Sequence, residues 1–406
     1  MLETPKGLRL HIGLFGRRNA GKSSLLNALT GQDAAIVSDV PGTTTDVVAK
    51  PMELKPLGPV MFLDTAGMDD VGELGALRMA KSGAALERTD LALVVTDGPW
   101  GAPEESLAAA CEKRDVPFIL VRTKTDLAPP DADWLRAQRS RGRAAVAVSA
   151  QTGEGMDALR RVVVDKTPKT FIDQPPILAD LVGPGETVLL VVPIDLEAPK
   201  GRLILPQVQC IREILDCDAR AVAVKERELA DTLGLLREPP SLVVTDSQVF
   251  LKVAGDVPES VRVTGFSVLF ARWKGDLETF VRGTAAVDAL RQGDRILMLE
   301  ACTHHPIGED IGRVKIPRWL RSYLGAELHF DHYSGHDLPA DLSPYRLIIH
   351  CGACMTNRRE MLNRLLTARE AGVPVTNYGL VIAKSLGVLP RMLSPFPALR
   401  DLAASL

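Results

Sequence analysis

Apolar runs of strand length recur along the first third of the chain, at residues 10–15, 60–64, 91–96, 118–123 and 145–149. Polar, helix-forming segments such as 21–29 and 104–114 lie between them. Unbroken apolar runs alternating with helices predict a mostly parallel sheet covered on both faces. The alternation stops at 168–176, where Pro175-Pro176 and polar neighbours read as a linker. A second region, 177–263, mixes strand-like runs (188–192, 221–224, 242–245) with helical ones (207–215, 226–233). A third, from 265 onward, has strand runs at 295–300 and 346–350, a helix over 357–371 and a strand around 373–377. The pattern therefore predicts an α/β chain of three domains, 1–170, 175–263 and 264–406. No internal repeat and no low-complexity tract is apparent.

Composition narrows the function classes. The chain has 406 residues, 46% hydrophobic and 24% charged, as expected for a soluble globular protein. A formal net charge of −3 argues against nucleic acid as the main partner. Apolar stretches such as 187–193 are far too short to span a bilayer, so no membrane role is expected. Only Lys6 and Arg9 precede the first apolar run, which is no signal peptide. Six cysteines in so long a chain do not make a disulfide scaffold, and the cytoplasm is the expected location.

Chemistry concentrates at the two ends. Gly16-Arg17-Arg18-Asn19-Ala20-Gly21-Lys22-Ser23 follows a strand and opens a helix that continues through Ser24. The glycines let backbone N–H groups wrap a phosphate, Lys22 reaches the β/γ oxygens and Ser23 ligates Mg²⁺. Asp64-Thr65-Ala66-Gly67 ends a strand, which sets Asp64 near Mg²⁺ and the Gly67 N–H near the γ-phosphate. Between them, Pro41-Gly42-Thr43-Thr44-Thr45-Asp46 reads as a switch, and Thr123-Lys124-Thr125-Asp126 with Ser149-Ala150 reads as a guanine pocket.

The order and spacing of these five motifs resemble the translation-factor-like GTPases over about residues 8–165, especially the branch with Era, Der and the tRNA-modifying members. The resemblance implies GTP/GDP and Mg²⁺ as ligands, Thr44 as the switch ligand, and Asp126 reading the guanine edge that adenine cannot match. It implies catalytic roles for Lys22, Thr44, Asp64 and Gly67. Two departures stand out. Thr123 replaces the usual Asn, so the amide that braces the base pocket is missing and weaker nucleotide affinity is expected. Met68 cannot orient water as the glutamine of Ras-like proteins does. Asn19 is similar to the asparagine that holds K⁺ in the tRNA-modifying members, which implies that K⁺ completes the transition state here.

At the other end, Cys302-Thr303-His304-His305 is followed by His350-Cys351-Gly352-Ala353-Cys354, with 45 residues between His304 and His350. Both stretches follow strand-like runs, and open α/β sheets place ligands at the carboxyl ends of strands. Three thiolates suit a [4Fe–4S] cluster with one iron free for another ligand, and three Cys with one His equally suit structural Zn²⁺. Cys111, Cys210 and Cys217 lie in apolar patterns and read as small hydrophobes. His305, His329, His332 and His336 read as surface or supporting groups, and Arg313, Lys315 and Arg318 as a solvated basic face.

The pattern Cys-x-His, a long gap, then His-Cys-x-x-Cys resembles the HydF family, the GTPase maturation factors of [FeFe]-hydrogenases. The resemblance covers essentially the whole chain. It implies a P-loop GTPase domain followed by a small α/β dimerisation domain and an α/β cluster-binding domain. Cys302, Cys351 and Cys354 would hold the [4Fe–4S] cluster, with His304, His350 or Glu309 as the exchangeable ligand. The implied function is a GTP-hydrolysing scaffold that delivers a di-iron precursor to apo-[FeFe]-hydrogenase. Implied partners are that apo-enzyme, the radical-SAM maturases HydE and HydG, and a second copy in a homodimer. A zinc-stabilised GTPase of ribosome or tRNA assembly is the alternative. Against it, residues 265–406 hold 17 Lys/Arg beside 14 Asp/Glu, too small a surplus for an RNA surface.

Overall fold

The computed structural model describes residues 4–30, 48–54, 57–65, 83–129, 132–172, 175–193, 203–301, 310–336 and 338–405. It separates into two compact units, Met1–Gln174 and Pro175–Leu406.

The first unit carries six strands: β1 (Leu10–Gly16), β2 (Val48–Leu54), β3 (Gly58–Asp64), β4 (Leu91–Thr96), β5 (Phe118–Arg122) and β6 (Ala144–Ala147). Their order is β2-β3-β1-β4-β5-β6, parallel throughout except for β2, which runs antiparallel along β3. β1 and β4 are buried at every position, as strands covered on both faces must be. Along β4, Leu91, Leu93 and Val95 join the core of the helices Lys22–Thr30 and Met156–Lys166. Ala92 and Val94 join Leu107 and Cys111 of the helix Ala102–Lys113 on the other face. The period-2 side-chain alternation thus feeds two separate apolar layers. β2 went unforeseen because Pro51, Lys50 and Glu53 break its apolar pattern. A proline is tolerated there because β2 is an edge.

The second unit holds two four-stranded parallel sheets. The first comprises β7 (Thr187–Val191), β8 (Arg220–Val224), β9 (Leu242–Thr245) and β10 (Arg262–Gly265), in the order β10-β9-β7-β8. The second comprises β11 (Arg295–Glu300), β12 (His329–Ser334), β13 (Leu347–His350) and β14 (Val375–Asn377), in the order β12-β11-β13-β14. One continuous apolar core, from Leu189 to Leu393, serves both sheets.

Counting from its own first strand, each sheet has the order second, first, third, fourth. The registers coincide as well. Val188 pairs with Leu242 and Ala221, and Ile296 pairs with Leu347 and Phe330. The expectation of no internal repeat is therefore corrected: the unit is a tandem pair of like-folded halves. The sequence keeps only its punctuation. Gly185 and Gly293, both with φ near +80°, open the first strands, at φ 77° and 84°. Pro206 and Pro317 both stand in the first turn of the helix that follows. Val263-Thr264-Gly265-Phe266 and Val375-Thr376-Asn377-Tyr378 both pass from a fourth strand into a helix.

Candidate nucleotide and cluster sites

β1 leads directly into the phosphate-binding loop. A Cβ at Gly16 would lie 2.1 Å from the Val95 carbonyl oxygen, so only glycine can turn the chain there. Asn19 stands exposed on the loop with φ +58°, a left-handed conformation that Asn tolerates. Lys22, buried at the start of its helix, donates to the carbonyls of Gly16 (3.0 Å) and Arg17 (2.8 Å). Ser23 Oγ donates to Asp64 Oδ2 at 3.3 Å, which brings together the two groups expected to hold Mg²⁺. Burial pushes the Asp64 carboxyl up, and the nearby Lys22 and Lys50 charges oppose the shift. A divalent cation would relieve that penalty.

On the base side, Ser149 Oγ donates to Asp126 Oδ1 at 2.6 Å and accepts from the Thr152 N–H at 3.1 Å, fixing the carboxylate. Thr123 does more than its sequence context promised. Its Oγ1 donates to the Ala20 carbonyl at 2.6 Å, tying the strand end after β5 to the phosphate loop. A brace between pocket and loop is thus present, supplied by a hydroxyl. Two partners were not legible in the motifs. Glu104, buried, takes a bidentate pair from Arg17 at 2.6 and 2.8 Å, and Asp97 pairs with Lys124 at 2.6 Å. Thr44 and Gly67 lie outside the described residues.

In the second unit, the strand order reverses between β11 and β13, and it is beyond the carboxyl ends of such strands that open α/β sheets bind ligands. β13 ends at His350 and hands over to Cys351, whose N–H donates to the Leu299 carbonyl at 2.9 Å. The Cys351 sulfur accepts the N–H of Ala301 at 3.1 Å and that of Ala353 at 3.5 Å. Ala353 reaches it through a left-handed turn, φ +52°. Ala301 is the residue immediately before Cys302. Cys302, His304 and Glu309 lie outside the described residues, and among the described ones no three His, Cys, Asp or Glu groups converge to hold a metal.

The chemistry of the described donor, the Cys351 sulfur, fits iron or zinc. Burial raises the Cys351 thiol's pKa, so a bound cation is what would favour its thiolate, and two backbone N–H groups already point at the sulfur. By contrast, Cys111 is pushed up to about 12 by burial with no such donors, and Cys210 is pushed up too. Both are fully buried among apolar residues, as expected.

Three family descriptions match the chain. Residues 11–124 match "50S ribosome-binding GTPase", 177–275 match "Hydrogen maturase F dimerization domain", and 278–395 match "Hydrogen maturase F tetramerization domain". The chain belongs to the HydF family.

Its GTPase part also has curated relatives. The tRNA modification GTPase MnmE of Synechococcus sp. (strain JA-3-3Ab) is 41% identical over 170 residues, 40% of this chain and 36% of that protein. MnmE of Nitrosomonas eutropha (strain DSM 101675 / C91 / Nm57) is 32% identical over 157 residues, 38% of this chain and 34% of that protein. The chain thus spans about a third of the length of these relatives. A variant of Aquifex aeolicus Era bound to GDP·AlF4⁻ is 20% identical, with a TM-score of 0.36 over 56% of this chain and 98% of that one. The P-loop GTPase fold and its fitness for GTP/GDP and Mg²⁺ follow from the matched family and the sheet described above. The two maturase domains make this HydF-family chain an oligomer-forming one. Among the described residues no helix is long and apolar enough to cross a membrane.

The two maturase matches divide near residue 276, after the helix Phe266–Lys274. Around the family's cysteines the structure adds groups that no motif marks. Glu300, at the end of β11, accepts from Ser334 Oγ (3.0 Å), Arg313 (3.5 Å) and Tyr378 (3.4 Å). Lys315 donates to Gln248 Oε1 at 2.6 Å. Arg313 and Lys315, read as part of a solvated face, therefore have specific partners.

Proposed function

We propose that the chain is a GTP-hydrolysing scaffold that holds a [4Fe–4S] cluster on Cys302, Cys351 and Cys354. It delivers a di-iron precursor to apo-[FeFe]-hydrogenase, working beside the maturases HydE and HydG. In this reading 1–170 is the GTPase domain, 175–263 the dimerisation domain of a homodimer, and 264–406 the cluster-binding domain.

One observation carries the reading. The residue before the first cysteine donates its N–H to the sulfur of the second, at the switch point of a parallel sheet. Such donors stabilise negative charge on a sulfur that ligates iron. The bound cluster would supply an iron whose remaining ligand exchanges, and Glu309 or His304 are the groups of this chain suited to that place. A carboxylate is the harder and more labile of the two.

At the other end, Lys22 and the loop N–H groups bind the phosphates, Ser23 and Asp64 hold Mg²⁺, and Asp126 selects guanine. Thr44 joins Ser23 and Asp64 on Mg²⁺, the Gly67 N–H contacts the γ-phosphate, and Asn19 holds the K⁺ that offsets developing charge. GTP hydrolysis should therefore run faster in K⁺ than in Na⁺ buffer, and equal rates would remove K⁺ from the mechanism.

The deciding experiment is anaerobic reconstitution of the full chain with iron and sulfide, followed by electron paramagnetic resonance of the reduced protein. A [4Fe–4S] signal that disappears in Cys302→Ala is the expected result. Tightly bound zinc without iron would sink the proposal and favour the alternative, a zinc-stabilised Era/Der-like GTPase of ribosome or tRNA assembly.

A further inference from the structure

His350 is the one candidate ligand besides the cysteines that the structure describes, and both of its ring nitrogens are engaged. Nε2 lies 2.8 Å from Arg364 Nη1, and Nδ1 lies 2.9 Å from the Cys351 carbonyl oxygen. A guanidinium only donates. Nε2 must therefore be the acceptor, which leaves the ring proton on Nδ1, where it donates to Cys351. No lone pair remains for iron.

Arg364 is held in place from several sides. The helix Arg358–Glu370 sets Glu360 one turn before it, and Glu360 Oε1 accepts from Arg364 Nη2 at 2.9 Å. The same Nη2 donates to the Gly335 carbonyl at 2.6 Å, just beyond β12. Glu360 Oε1 also lies 2.9 Å from His336 Nδ1, and Asn357 caps this helix by accepting the Glu360 N–H at 3.1 Å. Side chains of Arg364 and Glu360 are each 5% exposed. A buried ion pair this dry contributes little net stability, and natural chains keep such pairs for specificity in some systems.

Neutral imidazole is a common metal ligand, and a histidine one residue from a ligating cysteine would compete for any open iron corner. We propose that Arg364 is a positioning residue that withholds His350 from iron. Through the Nδ1–H bond it also fixes the Cys351 peptide that starts the 351–353 turn, keeping the Ala353 N–H on the sulfur. The fourth corner is thereby reserved for a weaker, exchangeable ligand. This inference rests on the cluster reading above.

The test uses the full chain labelled with ¹⁵N-histidine, reconstituted anaerobically and read by pulsed electron paramagnetic resonance together with the cluster's reduction potential. In the wild type, no nitrogen coupling should depend on His350, so His350→Leu should leave the coupling unchanged while shifting the potential. In Arg364→Met combined with Glu360→Gln, which removes both buried charges, a directly bound imidazole nitrogen should appear. It should vanish again when His350→Leu is added. Arg364→Lys keeps a cation beside Glu360 and should show the same coupling if the double variant loads no cluster. A wild-type coupling that His350→Leu abolishes would overturn the inference without any Arg364 variant. So would Arg364 variants that load fully with wild-type spectrum and potential. A wild type with no [4Fe–4S] signal refutes the cluster reading itself, which is a different failure.

Discussion

The two halves of the second unit share strand order and register, yet they end their strands differently. At the position where β13 places His350 and Cys351, β9 places Thr245 and Asp246. At the register position of Ala301, whose N–H reaches the Cys351 sulfur, the first half has Pro193, which has no N–H to give. A switch point thus comes with the topology, twice over, and the metal chemistry proposed here would come from a few residues beside it. The first half shows what the second would be without them.

Copying that first half into the second gives the sharpest test. Cys351→Asp installs the residue of the matching register position. Iron per chain is expected to fall to background, while far-UV circular dichroism and GTP binding stay at wild-type values. Retention of a full cluster would show that Cys351 is not a ligand and would break the comparison at its root.

Ala301→Pro copies the second difference and should act less severely. Removing one N–H donor from a charged sulfur costs about 1.5–3 kcal/mol, or roughly a tenfold to hundredfold weaker hold. The expected outcome is a cluster that is lost faster to a chelator and has a lower reduction potential. Ala301→Gly keeps the donor and should behave as wild type. If both variants lose the cluster equally, backbone disruption and not the hydrogen bond is responsible.

How much of this was legible depends on how each feature is written in the chain. The nucleotide motifs were plain because they are short and anchored to strand ends, and the structure sets Ser23 against Asp64 and Ser149 against Asp126. β12 was missed because His329-Phe330-Asp331-His332-Tyr333-Ser334 carries polar residues at an edge of its sheet, where one strand flank needs no apolar partner. The duplication was missed because only glycines, prolines and one Val-Thr pair survive at matching places, and loop lengths between them differ. Arg364 and Glu360 look, four residues apart, like an ordinary solvated helix pair. Only the tertiary packing that buries them turns the pair toward His350.

Thr123 gives the same lesson in the first unit, and with the smallest expected effect. A different residue type stands in a motif position, and the donor bond survives: the hydroxyl reaches Ala20 at 2.6 Å and so links the guanine side of the pocket to the phosphate loop. Thr123 is 2% exposed, so a lost bond there would leave the Ala20 carbonyl without that donor in a dry place. Thr123→Val keeps the shape and deletes the donor. A typical net value of about 0.5–1.5 kcal/mol for one hydrogen bond translates to a Kd for GDP raised about twofold to twelvefold. Thr123→Ser keeps the donor and should stay within twofold of wild type, measured by titration with a fluorescent GDP analogue. Equal weakening in both variants would mean that the methyl group, and with it packing against the loop, matters more than the brace.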